Sequence, residues 1–491
     1  MIERCAQPFF FVLNELNVLR AEQPDTERPE VVVETRSRFS AARFSEIDDD
    51  RISPAQWRIV FISGMGFFTD AYDLFIIGVV LKLLKSEWHI SSLETAIVGA
   101  TALVSAAIGS AAFGRIADVF GRKYIYGFEV LVLGAGAIAS AFSPNVWWLV
   151  AFRFILGLGI GGDYPVSATI ASEFAGKKTR GLMISTVFAM QGIGLIVGPL
   201  LAIALLAVHV PQDLVWRILL AAGAIPPLAV FWARRHLKET PRFEKLAESE
   251  GDATSKEAKR KGFVAAMKEA FGGDRQLVRW LVGTSLAWFF LDLAYYGNTI
   301  SNQAFVSAVS PKGTEIHDLY LSLLVFAFAA FPGYLLSIYG MDRWGRKTIQ
   351  LLGFAMMAAS FLGIAFLGDA KSILVPFVAL YCLNYFFTEF GPNTTTFVLP
   401  AEIFPSRVRT TSHGISATAG KMGAAVGTFS FPLLQAKFGL PGPMWIAALS
   451  SVAGFALTWA LLPEPNGLDL EEASRDKSFD SSSGKLAPAG A

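Results

Sequence analysis

Charged residues are scarce in this 491-residue chain. They make up 17% of the sequence, against roughly 25% in an average soluble domain. Apolar residues make up 53%, aromatic residues 13%, and 44 residues are glycine. Long and numerous apolar stretches with this glycine content are typical of closely packed helices exposed to lipid. The composition excludes a soluble multidomain protein and predicts an integral membrane protein.

Cysteine and histidine are also rare. The two cysteines, Cys5 and Cys382, and five scattered histidines offer neither a disulfide framework nor a metal cluster, so we expect no metal and no cofactor. The net charge of +1 gives no reason to expect a nucleic-acid partner. No nucleophile–base pair stands out, so an enzyme is not expected. The first apolar stretch is interrupted by Asn14 and Glu15 and does not form a signal peptide.

Twelve stretches are long and apolar enough to cross a bilayer, which takes about 20 residues. We predict spans at 57–80, 94–113, 124–142, 147–170, 181–207, 214–233, 278–302, 318–339, 348–367, 373–398, 410–435 and 442–462. The domains that follow are a cytoplasmic N-terminal tail expected to be disordered (1–52), a six-helix bundle (53–233), a basic cytoplasmic linker (234–277), a second six-helix bundle (278–463) and a cytoplasmic C-terminal tail (464–491).

Loop charges predict the orientation of these spans. Lysine and arginine crowd the loops after spans 2, 4, 6, 8 and 10, whereas the opposite loops carry few of them. Because basic loops stay on the cytoplasmic side of a membrane, both termini are expected in the cytoplasm.

Two charged patterns occur once in each half of the chain. An Asp-x-x-Gly-Arg-Lys motif closes spans 2 and 8, and a glutamate stands seven residues before an arginine after spans 4 and 10. The repeated charged residues are Asp118, Arg122, Glu173 and Arg180, and Asp342, Arg346, Glu402 and Arg409. We expect them to hold the cytoplasmic ends together in the outward-open state, the alternative being a plain topology signal.

Two related six-span halves, with a substrate site between them near the bilayer midplane, are the repeat arrangement of the major facilitator superfamily. The predicted fold is therefore an all-α membrane protein, with twelve transmembrane helices in two pseudo-symmetric six-helix bundles.

Charged residues inside the spans are functional candidates, because burying a charge in the bilayer costs several kcal/mol. At about 1.5 Å per residue, five polar side chains fall in one layer near the midplane. They are Asp70, Asp163, Gln191, Asp292 and Lys421.

Other polar residues in the spans have different expected roles. Asp73 lies on the same helix face as Asp70, and Asp70 is expected to lie away from span 7. Arg153 is expected to pair with a nearby carboxylate. Two roles stay open for Glu389, lining the pore or pairing helices.

One face of span 7 carries an aspartate between two aromatic residues. Trp288, Asp292 and Tyr296 follow each other at intervals of four residues, which places them along a single stripe. An aromatic stripe alone indicates packing, but the central aspartate favours a functional face.

Several segments resemble the phosphate:proton symporters of the major facilitator superfamily, known best from fungi and plants. The resemblance covers roughly residues 55–465. It is carried by GFFTDAYDLF at 66–75, GGDYPVSATIASE at 161–173, WFFLDLAYYG at 288–297, FGPNTTTFVLPAEIFPSRVRTTSHGISA at 390–417 and the Gly420-Lys421 pair.

The resemblance implies a proton-coupled importer of inorganic phosphate in the plasma membrane, whose partners are phosphate, protons and the lipid bilayer and which functions as a monomer. The phosphate ligands that it implies are Tyr164, Gln191, Trp288, Asp292, Tyr296 and Asn393, with Lys421 near the site. It places Asp70 and Asp163 in the proton path, and we add Asp73 because it shares the face of Asp70.

Two alternatives stay open at this point. PAEIFP at 400–405 and ETPR at 239–242 also occur in sugar porters, so a proton-coupled carrier of a sugar, a carboxylate or another organic ion would share them. A non-transporting nutrient sensor is the second alternative, although such proteins usually carry long soluble extensions.

Overall fold

The structure is a computed structural model that describes residues 52–247, 263–309, 315–368 and 374–476. Within these ranges it is helical and contains no strand. The predicted N-terminal tail lies outside the described residues except for Ile52, as do the middle of the predicted linker and the last fifteen residues of the predicted C-terminal tail.

Among the described residues, twelve helical segments of 20 residues or more correspond one to one with the predicted spans. They are α1 (Pro54–Glu87), α2 (Ser92–Phe120), α3 (Arg122–Ala141), α4 (Val146–Phe174), α5 (Arg180–Ala207), α6 (Gln212–Arg235), α7 (Arg275–Ile300), α8 (His317–Trp344), α9 (Arg346–Leu367), α10 (Leu374–Glu402), α11 (Arg409–Phe438) and α12 (Pro441–Leu461).

Side-chain caps fix where several of these helices begin. Ser53 and Ser91 each accept a hydrogen bond from the backbone three residues later, and Gln56 and Glu94 return it in two complete capping boxes. Because caps satisfy backbone N–H groups that have no partner inside the helix, α1 and α2 start sharply.

Ten of the twelve segments are long and apolar enough to cross a membrane by length and composition. The other two, α1 and α11, are the longest helices but are buried along most of their length. α11 is rich in Gly, Ser and Thr, which suits a helix surrounded by protein rather than by lipid. These two inner helices carry Asp70 and Lys421.

The two halves pack against each other through α2 with α11, α5 with α8, α4 with α11 and α1 with α7. Where α2 crosses α11, the backbones are in contact at Gly114 and Gly414. A Cβ atom on Gly414 would lie 2.4 Å from the carbonyl oxygen of Ser110, and one on Gly114 would lie 2.8 Å from that of Thr410. Any larger residue would push the two halves apart.

The glycines of the repeated motif end α2 and α8. Gly121 and Gly345 have φ values of +102° and +85°, a region that residues with a side chain rarely adopt. These turns reverse the chain so that Arg122 and Arg346 begin the next helices. The motif therefore has a backbone role as well as a charged one.

The predicted linker begins too early. Arg234 lies in the last turn of α6, and its side chain is completely buried, while Arg242 is 3% exposed. The basic stretch to which both belong predicts a cytoplasmic linker. The structure places them inside the protein, where each has a carboxylate partner.

Candidate functional site

A hydrogen-bonded network joins the two halves in the middle of the bundle. Asp70 of α1 accepts hydrogen bonds from the hydroxyl of Tyr164, from Gln191 Nε2 at 3.3 Å and from the hydroxyl of Tyr296 at 3.4 Å. Lys421 Nζ contacts the Tyr296 hydroxyl and lies 3.8 Å from Asp70 Oδ2. We call these five residues, from α1, α4, α5, α7 and α11, the central network.

The network continues into α8 and α10. The Tyr334 hydroxyl donates to Gln191 Oε1 at 3.0 Å and accepts from Asn393 Nδ2 at 3.0 Å. Asn393 Nδ2 also donates to Glu389 Oε2 at 2.5 Å. α10 is broken at Gly391, so Glu389 and Asn393 stand on either side of the break.

Lys421 supplies the positive charge of the central network. Its Nζ atom lies 4.0 Å from the ring centre of Tyr164 and 4.4 Å from that of Tyr296, and its side chain is 1% exposed. Cation–π contacts and the nearby Asp70 carboxylate compensate for its lost hydration.

Asp292 and Trp288 border the central network. Asp292 is 1% exposed, interacts with Trp288 one turn earlier and lies in the field of Lys421. Its Oδ2 atom has no hydrogen-bond partner among the described residues. Gly420 leaves room for the indole, since a Cβ atom there would lie 2.5 Å from Trp288 Cδ1. Asp292 is therefore a buried acceptor with spare capacity.

The chemistry of this site suits a small anion that also carries hydroxyl groups. Tyr hydroxyls and Gln and Asn amides donate hydrogen bonds without holding an anion as tightly as an arginine cluster would. Lys421 supplies one positive charge, and Asp70 and Asp292 can accept hydrogen bonds from the hydroxyls of the ligand.

Most of the predicted ligands are brought together. Tyr164, Gln191, Tyr296, Asn393 and Lys421 belong to one connected set, and Asp292 and Trp288 line its edge. The expectation that Asp70 lies away from span 7 is wrong, because its carboxylate contacts Tyr296. Helix packing across the two halves, which no spacing along α1 reveals, decides this contact.

Asp163 does not lie in the layer of Asp70. It points to the level of Gly66, about one turn away along α1. There it pairs with Arg234, whose Nη1 atom lies 2.6 Å from Asp163 Oδ1 and 2.9 Å from Glu129 Oε1. Sequence reasoning missed Glu129 and Arg234. Glu129 falls inside predicted span 3, so the cost of a buried carboxylate was a signal for it.

Asp73 forms the ion pair that was expected for Arg153. The two terminal guanidinium nitrogens of Arg153 donate to the Asp73 carboxylate, Nη1 to Oδ1 at 3.1 Å and Nη2 to Oδ2 at 2.9 Å. A small cavity lined by Asp70, Asp73, Arg153 and Tyr296 lies between this pair and the central network. Asp73 is thus paired with Arg153 and also lines the same cavity as Asp70.

Aromatic rings close the site on both sides. Phe397 lies between Phe188 and Phe67, with ring centres 4.6 and 4.9 Å apart, and Tyr164 lies 5.0 Å from Phe67. On the other side, the rings of Phe75 of α1 and Phe326 of α8 are 5.2 Å apart. No sequence pattern identified these layers, since the rings within each layer come from different helices.

We use the name charged end for the side of the bundle where α2, α4, α8 and α10 end. Two clusters there link the halves through buried charges. In the first, Glu173 Oε1 lies 3.2 Å from Arg122 and 2.8 Å from Arg409. In the second, Glu402 Oε1 lies 3.0 Å from Arg180 and 2.7 Å from Arg346. Each glutamate is completely buried.

The motif aspartates bind helix N-termini of the opposite half. Asp118 accepts hydrogen bonds from the backbone N–H groups of Thr410 and Thr411 at the start of α11. Asp342 accepts them from Gly181 and Leu182 at the start of α5. A carboxylate is favoured there because the helix N-terminus carries a partial positive charge. The two aspartates also pair with the arginines of their own motifs, Asp118 with Arg122 at 3.2 Å and Asp342 with Arg346 at 2.9 Å.

The segment after α12 adds a third layer of contacts at the charged end. Glu471 pairs with Arg242 at 2.8 Å, and Glu464 accepts hydrogen bonds from the backbone of Arg346 and Lys347. Burial acts to raise the pKa of Glu471, but the charge of Arg242, the hydrogen bonds that the carboxylate accepts and the charge of Arg409 together hold that pKa below its ordinary value. The Glu471 carboxylate therefore stays ionised at neutral pH and its ion pair holds the segment against the bundle.

Replacing Glu402 by Gln is expected to open the charged end. The change leaves Arg180 and Arg346 buried without their shared carboxylate, and breaking a buried ion pair costs about 3–5 kcal/mol. Spin labels at K178C and R343C, one in each half, report the opening in a background with both native cysteines replaced by serine. We expect their distance distribution to shift to longer distances. The exposed Glu472→Gln is the control, and an unchanged distribution in Glu402→Gln contradicts the assignment.

Comparisons with known proteins agree with this architecture. The family model for sugar (and other) transporters matches residues 59–476. The chain is 35% identical to a probable inorganic phosphate transporter 1-6 of Arabidopsis thaliana, covering 86% of this chain and 95% of the relative. It is 36% identical to inorganic phosphate transporter 1-11 of Oryza sativa subsp. japonica, covering 87% and 89%.

A solved structure of the major facilitator superfamily proton:xylose symporter XylE, bound to 6-bromo-6-deoxy-D-glucose, superposes with a TM-score of 0.73. The two chains are 19% identical, and the match covers 85% of this chain and 98% of the other. This likeness confirms the predicted twelve-helix fold.

Proposed function

The chain belongs to the family of sugar (and other) transporters of the major facilitator superfamily, and from this premise we propose that it imports inorganic phosphate by proton symport. The observation that carries the proposal is the central network, where neutral donors and one lysine surround a carboxylate at the junction of the two halves. The relatives named as phosphate transporters support the same substrate.

Competition for hydrogen-bond donors explains the coupling. Tyr164, Gln191 and Tyr296 all donate to Asp70. When phosphate enters, these donors turn to its oxygens, and an ionised Asp70 loses the partners that stabilise its charge. Protonation of Asp70 removes that penalty. Phosphate and proton therefore favour each other's binding, and linkage makes the effect reciprocal.

The proposed ligands divide by role. Tyr164, Gln191, Trp288, Tyr296 and Asn393 donate to phosphate oxygens, Lys421 balances the negative charge, and Asp292 accepts a hydrogen bond from a phosphate hydroxyl.

The proposed proton path runs along α1. Asp73 opens onto the cavity shared with Asp70. Asp163, paired with Arg234, lies about one turn beyond Asp70 towards the charged end. Measured along α1, Asp73 lies nearest the opposite end of the bundle, Asp70 comes next, and Asp163 of α4 lies nearest the charged end.

In an alternating-access cycle, one gate closes the site at each end of the bundle. The repeated charged clusters and the Phe67–Phe188–Phe397 layer close the site towards the charged end. Contacts between Phe75 and Phe326, and between Lys82 and Asp318 at 3.6 Å, close the other side. The basic loops support the proposal that the charged end lies in the cytoplasm together with both termini. We further propose that the protein works as a monomer in the plasma membrane.

Reconstituted vesicles test the proposed function directly. With an outside-acidic proton gradient, radiolabelled phosphate is expected to accumulate inside, and a protonophore should abolish the accumulation because the gradient is its only energy source. Sulfate and xylose are the control substrates, and a sodium gradient without a pH gradient is the control driving force. Uptake that follows sodium and ignores pH contradicts proton coupling. Accumulation of xylose but not phosphate contradicts the substrate.

A further inference from the structure

Glu389 is a buried carboxyl group that the proposed transport cycle leaves without a role. It lies in α10 one turn before Asn393 and is 0% exposed. No lysine, arginine or histidine forms an ion pair with it in the described ranges. Its neighbours are the hydroxyls of Tyr295 on α7, Tyr334 on α8 and Tyr385 on α10 itself.

The carboxyl oxygens of Glu389 have different surroundings. Oε2 accepts a hydrogen bond from Asn393 Nδ2 at 2.5 Å, whereas Oε1 makes none within the described part of the chain. The Tyr295 hydroxyl lies close to the same carboxyl group, but makes no hydrogen bond of ordinary geometry within the described residues. A carboxylate without a cation and with one free oxygen is costly to bury. A proton on Oε1 removes the charge and supplies a donor for the Tyr295 oxygen.

Glu389 is also connected to the substrate site. Asn393 Nδ2 donates both to Glu389 and to the Tyr334 hydroxyl, and Tyr334 donates to Gln191 of the central network. Asn393 is a proposed phosphate ligand, so its amide cannot serve phosphate and an ionised Glu389 equally well. When Asn393 turns to the phosphate, Glu389 loses its nearest donor.

We propose that Glu389 is a second proton-binding site, in the C-terminal half, whose occupancy is linked to phosphate binding through Asn393. The proposal rests on the phosphate function above and adds one proton to the cycle. Asp70 and Glu389 then act in the same way on the two halves, because each is an acid that shares its donors with the anion. Glu389 is a positioning residue for Asn393 when ionised and a proton carrier when phosphate is bound.

Glu389→Gln separates these roles, because glutamine keeps an acceptor oxygen and imitates the protonated acid. The first measurement is equilibrium binding of radiolabelled phosphate to purified protein across a pH series. One linked proton changes affinity by up to about tenfold per pH unit. We expect the affinity of the Gln variant to fall less steeply with rising pH than that of the native protein. The titration of phosphate itself is common to both and cancels.

The second measurement needs no transport. Infrared difference spectra recorded with and without phosphate should contain a protonated-carboxyl band that Glu389→Gln lacks. Glu94→Gln, at the capping box of α2, is the matched control and should leave both measurements unchanged. Asn393→Ala should remove the effect of Glu389→Gln in a double-mutant comparison, because the link is gone.

The outcomes distinguish this inference from the proposed function. If native protein does not bind or accumulate phosphate, the proposed function fails. If native protein does both, and Glu389→Gln keeps the native pH dependence and the native infrared band, Glu389 carries no linked proton and the inference is overturned. A Gln variant that is folded but no longer binds phosphate also overturns it, because binding would then need the ionised acid.

Discussion

Replacing Asp70 by Asn should leave phosphate exchange running while proton-driven accumulation falls steeply. Asparagine keeps an acceptor oxygen for Tyr164 but cannot titrate, so phosphate binding no longer draws in a proton at this position. Each coupled proton supports about tenfold accumulation per unit of pH gradient. The variant loses the proton at Asp70 and keeps the one proposed at Glu389, so its accumulation ratio should fall by about tenfold per unit of pH gradient. Asp70 has this effect because it shares its donors with the substrate site, its carboxylate being in contact with Tyr296 of α7.

Two assays on the same vesicles measure this result. Counterflow exchange of labelled for unlabelled phosphate needs no gradient and should persist, whereas uptake driven by an imposed proton gradient should stop well below the native accumulation ratio. Asp213→Asn, an exposed aspartate in the first turn of α6, is the control and should accumulate phosphate like the native protein. Accumulation at the native ratio by Asp70→Asn would remove Asp70 from the proton path.

Replacing Lys421 by Met is expected to abolish measurable phosphate binding. Methionine has a similar length but leaves Asp70 and the incoming anion without the cation of the central network. Removing one partner of a buried charged pair costs about 3–5 kcal/mol, and every 1.4 kcal/mol is tenfold in affinity. Binding should therefore weaken by at least about 100-fold.

Lys437→Met provides the matched control, because Lys437 lies on the same helix but is exposed in its last turn. It should bind phosphate with native affinity. Thermal unfolding in detergent separates a loss of binding from a loss of fold. Near-native affinity in a folded Lys421→Met protein would show that the positive charge is not needed and that the anion binds elsewhere.

The fold was predictable because the bilayer acts on each helix separately. Ten of the twelve spans are long and apolar enough by themselves to cross the hydrocarbon core, and such stretches are visible along the chain. The repeated motifs then identified the two halves. The linker was misplaced at Arg234 because a basic stretch resembles a cytoplasmic loop, whereas its charge is neutralised by Asp163 and Glu129 from other helices.

The candidate site was predictable where a residue type is costly in a membrane. Asp70, Asp292 and Lys421 stood out for that reason, and the resemblance added Tyr164, Gln191 and Asn393. Tyr334 gave no such signal, because a tyrosine in an apolar helix is ordinary. Its importance comes from its position between Gln191 and Asn393, which belong to different halves of the protein.

The sequence by itself determined the number of spans, the two-fold repeat and most of the costly polar residues, because each depends on local composition and spacing. Only the tertiary structure decided which of these residues meet. Asp70 contacts Tyr296, Asp163 pairs with Arg234, Asp118 binds the start of α11, and Glu389 shares Asn393 with the central network. The first three contacts join helices far apart in the chain, and Asn393 of α10 reaches the central network through Tyr334 of α8. Each of these arrangements depends on how the helices pack and rotate against one another, which periodicity within one helix does not specify.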